Sequence, residues 1–170
     1  VACQTGHYKV AALLLNKGAE VNKARDNGVT PFYVACQNGH DQVVAILLNK
    51  GAEVNKARDN GSTPLFIACQ EGRDQVATLL LNKGAEVNKA GEDGATPLYM
   101  ACQNGHYQVV VLLLNKGAEV NKADNHGYTP LFIACQNGHD KIAAILLNKR
   151  ADVNKAAADG ATPFFIACQA

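Results

Sequence analysis

Apolar residues recur in two short clusters separated by fixed punctuation. Thr30-Pro31 opens the run Phe32-Tyr33-Val34-Ala35-Cys36, which ends at Gln37-Asn38-Gly39. Val43, Val44, Ile46, Leu47 and Leu48 then fall at helical spacing between Asp41 and Asn49. The pattern predicts two helices. Thr30 is the candidate N-cap of the first, and Pro31 takes the first helical position, where its missing N–H costs nothing. Gly39 and Gly51 suit the left-handed residues that end the two helices. Val54-Asn55 leads through Lys56 to Asp59, and Asn60-Gly61 is a turn signal before the next Thr-Pro. The unit reads helix, tight turn, helix, projecting hairpin-like loop.

This unit repeats. Thr-Pro stands at 30–31, 63–64, 96–97, 129–130 and 162–163, always 33 residues apart. The six cysteines (Cys3, Cys36, Cys69, Cys102, Cys135, Cys168) keep the same step, as do Asn22, Asn55, Asn88, Asn121 and Asn154. Full units are expected at 25–57, 58–90, 91–123 and 124–156, with partial units at 1–24 and 157–170. Helices this short are marginal alone, so each unit must bury its apolar faces against its neighbours. Packed helices lie about 8–10 Å apart, which sets the expected distance between equivalent residues. The chain is expected to begin inside one first helix at Val1 and to stop inside another at Ala170. Neither end carries the polar face of a capping repeat, so a piece of a longer array is expected, with Leu13-Leu14-Leu15 and Phe164-Phe165-Ile166 available for end-to-end self-association.

The period and the stretch GSTPLFIACQEGRDQVATLLLNKGAEVNKA at 61–90 strongly resemble the ankyrin repeat, whose signature is T-P-L-H-x-A. The resemblance covers the whole chain. It implies an all-α ankyrin-repeat solenoid of stacked helix-turn-helix units with projecting loops. Two departures stand out. Tyr33, Phe66, Tyr99, Phe132 and Phe165 replace the family's His, so its His–Thr hydrogen bond is lost and an apolar aromatic ladder is expected instead. Arg150 stands where other units have Gly18, Gly51, Gly84 and Gly117. A left-handed conformation there should cost about 1 kcal/mol relative to glycine.

Charge narrows the function. Lys plus Arg is 16 and Asp plus Glu 15, a net charge of +1, which argues against binding nucleic acid through bulk phosphate neutralisation. No apolar run approaches the roughly 18 residues of a membrane span, and no signal peptide is visible. An intracellular, cytoplasmic protein is the expectation. Cysteines stepping along a stack are too far apart for disulfides, and no C-x-x-C pair suggests zinc. They read as small buried side chains of a reducing compartment. His7, His40, His106 and His139 share one repeat position with Arg73, where the resemblance implies that the Gly-His pair shapes the inter-helix turn. The ladders Lys17, Lys50, Lys83, Lys116, Lys149 and Lys23, Lys56, Lys89, Lys122, Lys155 alternate with acids and read as a solvated face. Asn60-Gly61-Ser62 matches a glycosylation pattern but in the wrong compartment. No catalytic constellation, cofactor motif or metal cluster is visible, so neither an enzyme nor a cofactor is expected.

The units differ most in the loop before each Thr-Pro, the finger that ankyrin proteins use to grip partners. A protein partner is therefore expected at Arg25, Asp26, Val29, Arg58, Asp59, Ser62, Glu92, Asp93, Asn125, His126 and Tyr128, the last read as an exposed hot spot. The concave ends of the first helices add Gln70, Glu71, Gln103 and Asn104. A structural spacer and an engineered binder are the alternatives. The resemblance also implies asparaginyl hydroxylation as a modification. Its pattern fits Leu47, Glu53, Val54 and Asn55, and again Leu113, Glu119, Val120 and Asn121; a loop-stabilising role for these asparagines is the competing reading.

Overall fold

The computed structural model describes residues 2–3 and 6–169; Val1 and Ala170, the expected helical ends, lie outside them. Ten helices are present among the described residues: α1 Tyr8–Asn16, α2 Pro31–Asn38, α3 Asp41–Asn49, α4 Pro64–Gln70, α5 Asp74–Asn82, α6 Pro97–Gln103, α7 Tyr107–Asn115, α8 Pro130–Gln136, α9 Asp140–Asn148 and α10 Pro163–Gln169. Ala2 and Cys3 form a turn rather than a helix.

Each Thr-Pro starts a helix as its chemistry requires. The hydroxyls of Thr30, Thr63, Thr96 and Thr129 accept from the backbone N–H groups of Tyr33, Phe66, Tyr99 and Phe132, all at 3.1 Å. These threonines are buried, so the bond satisfies two groups that have no water.

The even-numbered helices pack side by side in one layer, α1, α3, α5, α7 and α9 in a second, and each helix of α2–α9 also packs on its partner across the turn. The core is one continuous cluster. Its repeating members are Leu65, Leu98 and Leu131 of the first layer and Leu47, Leu80, Leu113 and Leu146 of the second. Burying each such side chain contributes roughly 1.5–3 kcal/mol.

Polar stitches fix the stacking register. Asn55 donates its amide to the Gly84 carbonyl (3.1 Å) and accepts from the Glu86 N–H (2.9 Å), both in the next unit. Asn22 and Asn88 repeat the pair. Asn121 does so against Arg150 and Asp152. The asparagines that fit the hydroxylation pattern, Asn55 and Asn121, are thus clamps between units. A second stitch links the inter-helix turns. His106 Nε2 lies 2.9 Å from the Gln70 carbonyl, His139 Nε2 3.1 Å from that of Gln103, and Arg73 Nε donates to that of Gln37 at 3.1 Å. The turn glycine of the preceding unit makes room: a Cβ at Gly72 would fall 2.6 Å from the His106 ring. The Gly-His pair therefore shapes the turn and also joins one unit to the next.

The aromatic ladder is mixed. Phe66 and Phe132 are buried, but Phe165 is 58% exposed. Tyr33 is buried and its hydroxyl bonds Ser62 Oγ at 3.0 Å, so this rung is polar at its tip. Cysteine burial is also graded. Cys36, Cys69 and Cys102 are fully buried, Cys3 and Cys135 partly, and Cys168 is exposed, a correction to the uniform burial expected; all six are free. Exposed apolar side chains gather on α1 (Val10, Leu13, Leu14) and α10 (Phe164, Phe165), on faces of the kind that neighbouring units cover elsewhere in the stack.

Two outcomes follow from this packing. Arg150 has φ 65°, the one non-glycine residue in the left-handed region among those described. A Cβ at the equivalent Gly18, Gly51, Gly84 or Gly117 meets nothing within 4 Å, so the cost at Arg150 lies in the dihedral and not in crowding. Arg150→Gly is expected to raise stability in urea unfolding by about 1 kcal/mol. Burial pushes the Cys36, Cys69 and Cys102 thiols well above the ordinary range, and those of Cys3 and Cys135 upward less completely buried. Thiolate is the reactive form, so titration with a thiol reagent should label Cys168 first, Cys3 and Cys135 more slowly, and the other three only on unfolding.

Candidate functional site

The loops between units form a connected rank. Within each finger a tight turn closes on itself: Arg58 N–H donates to the Ser62 carbonyl at 3.1 Å and Gly61 N–H to that of Arg58 at 2.9 Å. A side chain braces it, as Asn60 Oδ1 accepts from Ser62 N–H at 3.2 Å and Asp93 Oδ1 from Ala95 N–H at 3.0 Å. Each finger is then tied to its neighbour through the backbone. Glu92 N–H donates to the Asn60 carbonyl (3.1 Å), Asn125 N–H to Asp93 (2.9 Å), and Ala158 N–H to His126 (2.9 Å).

This rank decides which side chains face outward. Arg25, Asp26, Asp59, Glu92, Asp93, Asn125 and His126 are exposed, whereas Val29 and Arg58 are half-buried. Asn125 also donates its amide to the Glu92 carbonyl at 2.9 Å, bracing the third finger against the fourth. Ser62 lies otherwise than expected. It is buried, 3% exposed, with its hydroxyl held by Tyr33, and so is withdrawn from a partner's reach. Tyr128 is half-buried rather than exposed, its ring stacked on Phe132 at 4.6 Å and tilted toward His126 at 6.1 Å.

On the first helices, Gln70, Glu71 and Gln103 are half-buried and Asn104 is exposed. The Asn104 amide turns back onto the Met100 carbonyl at 2.9 Å, as Asn38 and Asn137 do one turn up their own helices. A groove of about 430 Å³ runs between the fingers and these helix ends. It is lined by Arg25, Val29 and Arg58 of the fingers and by Tyr33, Glu71 and Arg73 among the residues below. Tyr33 and Arg73 were not foreseen as site residues; Arg73 was visible only as the odd member of the histidine ladder.

Tyr99 takes the same inward role as Tyr33 two units further on. Burial, then the charge of Asp124 and a hydrogen bond to it, with smaller contributions from Asp93 and Tyr128, push its hydroxyl up to about 12. Asp124 in turn accepts from the backbone N–H groups of His126 (3.0 Å) and Tyr128 (2.9 Å), so Tyr99 anchors the fourth finger.

The family model for ankyrin repeats (3 copies) matches residues 1–90, 87–157 and 125–170. The chain belongs to the ankyrin repeat family. Ankyrin repeats are in general protein–protein interaction modules without enzymatic activity. None of the curated proteins compared with the chain matches it. Among the described residues no helix is long and apolar enough to cross a membrane, and no group of three or more His, Cys, Asp or Glu could hold a metal ion.

The Tyr99 anchor has a pH signature. A phenol whose folded value is raised from 10.0 to about 12 keeps its proton in the folded state after the unfolded chain has lost it. Its contribution is complete below pH 10 and is lost as the pH rises toward 12. Urea unfolding at several pH values across that window should show a decline of up to about 2–3 kcal/mol from this group. Tyr99→Phe should flatten that part of the profile, leaving the decline due to buried thiols, which both proteins share.

Proposed function

We propose that the chain binds a protein partner in the channel between the finger rank and the C-terminal ends of α2, α4, α6 and α8. The observation that carries this reading is the backbone tie between fingers. It holds side chains that differ from unit to unit on a surface ordered before any partner arrives. A preorganised surface binds at lower entropic cost than flexible loops would. The contacting residues in this reading are Arg25, Asp26, Val29, Arg58, Asp59, Glu92, Asp93, Asn125 and His126, with Gln70, Glu71, Gln103 and Asn104 from the helix ends. Tyr128 supports the fourth finger through its stack on Phe132, and Ser62 supports the second through Tyr33. Six free thiols favour a reducing compartment as the place of work.

Affinity capture from a cell lysate with the chain and with an Asp26→Ala, Glu92→Ala, His126→Ala variant tests the proposal. The three positions are exposed, so circular dichroism spectra should coincide. Proteins retained by the first and lost by the second are the expected result. Identical captures would favour a spacer whose surface is not individualised.

A further inference from the structure

Three arginines, Arg25, Arg58 and Arg73, line the groove between the first two complete fingers, and other units do without arginine at each of these positions. Arg25 and Arg58 occupy the position that later units give to Gly91, Asp124 and Ala157. Arg73 occupies the position that other units give to histidine. Its Nε makes the same stitch to the Gln37 carbonyl that His106 makes to Gln70. The stitch therefore needs one N–H, and arginine brings its two terminal nitrogens in addition.

Arg58 is the centre of the cluster. Its guanidinium carbon lies 5.8 Å from the Tyr33 ring centroid, a cation–π placement that holds the group over the groove. Its Nε is buried without a hydrogen-bond partner among the described residues. The ion pairs found among those residues join lysines to glutamates and involve none of these arginines. A guanidinium that is half-buried, oriented and unpaired is a costly arrangement in a free protein and a favourable one beneath an anion.

We propose that this groove is a carboxylate-accepting subsite for an aspartate or glutamate side chain of the protein partner, an inference that rests on the channel being the binding face. The forked donors of Arg58 and Arg73 match the geometry of a carboxylate. Val29 and the Tyr33 ring give apolar wall for the methylene stem of such a residue. Glu71 lies in the same groove and moderates its positive charge, which suits a singly charged group better than a polyanion. Along the finger rank the sign then changes, through Glu92 and Asp93 to Asp124 and Asp159. A partner segment with its acidic residue over Arg58 and basic residues toward the fourth finger would match both halves.

The probe is a fluorescent Gly-Ser peptide with adjacent glutamates at its centre, followed by polarisation at low salt. Arg58→Ala and Arg73→His install residues that other units already carry at those positions, so folding is retained. The acidic peptide should bind, weaken with added salt, and lose at least about tenfold in affinity in either variant. The same peptide with glutamine in place of glutamate should not bind. Equal binding of the two peptides, equal binding to the variants, or no binding of the acidic peptide up to ~1 mM would overturn the subsite. Displacement by inorganic tripolyphosphate far below the peptide concentration would overturn its assignment to a carboxylate. Captured proteins that need Asp26, Glu92 and His126 but survive Arg58→Ala and Arg73→His would leave the binding face standing and remove only this subsite.

Discussion

The burial of one unit's apolar side chains by the next governs the rest of this structure. Helices of seven to nine residues close too few hydrogen bonds to hold themselves in water. Leu80 at 0% exposure and Val43 at 0% reach that state only because helices of adjacent units cover them. On α1 and α10 surfaces of the same kind are open, as at Leu13 (64%) and Phe164 (76%). Stability in such a stack is a sum over units and the interfaces between them, so an interface defect is felt locally first.

Apolar packing alone is tolerant of small slips, and here polar stitches remove that tolerance. Each asparagine clamp reaches 29 residues forward to a carbonyl and 31 forward to an N–H. Each His or Arg stitch reaches 36 residues back. Both satisfy backbone groups at helix ends and turns that would otherwise depend on water. The fingers inherit the register: once Asn55 and Arg73 have set the spacing, successive tips fall within hydrogen-bond distance of one another.

The local signals in the chain were legible because each depends on neighbours within a few residues. The Thr-Pro caps, the helix spans, the helix-ending Gly39 and Gly51 and the left-handed Arg150 all follow from short-range sterics and hydrogen bonding. What the sequence hides is side-chain contact, most of it between units. Ser62 reads as a loop hydroxyl facing water, yet a tyrosine 29 residues earlier claims it. Tyr128 reads as an exposed aromatic in a polar loop, yet it lies flat on Phe132. The histidines read as turn formers, and their bonds to the preceding unit are invisible without the stack. For Ser62 and the histidines the missing datum is a partner about one repeat away, which periodicity locates only as a position and not as a contact; for Tyr128 it is a ring four residues on, whose orientation the spacing alone does not give.

That distinction also separates scaffold from recognition within the chain. A position is committed to the fold where every unit uses the same atoms for the same bond, as the asparagine clamps do. It is uncommitted where units differ while the backbone path remains the same, as at Arg25, Arg58 and Gly91, each of whose N–H groups donates to the carbonyl at the far end of its own finger. The bond belongs to the main chain, so the side chain is left to vary. Arg73 is the informative intermediate, since one of its nitrogens does the work of the fold and the others are surplus to it. Surplus donors on a residue already immobilised by a structural bond lose little further entropy on meeting an acceptor. A rigid stack can therefore acquire recognition chemistry at its stitches as well as at its loop tips, without weakening the interface on which it depends.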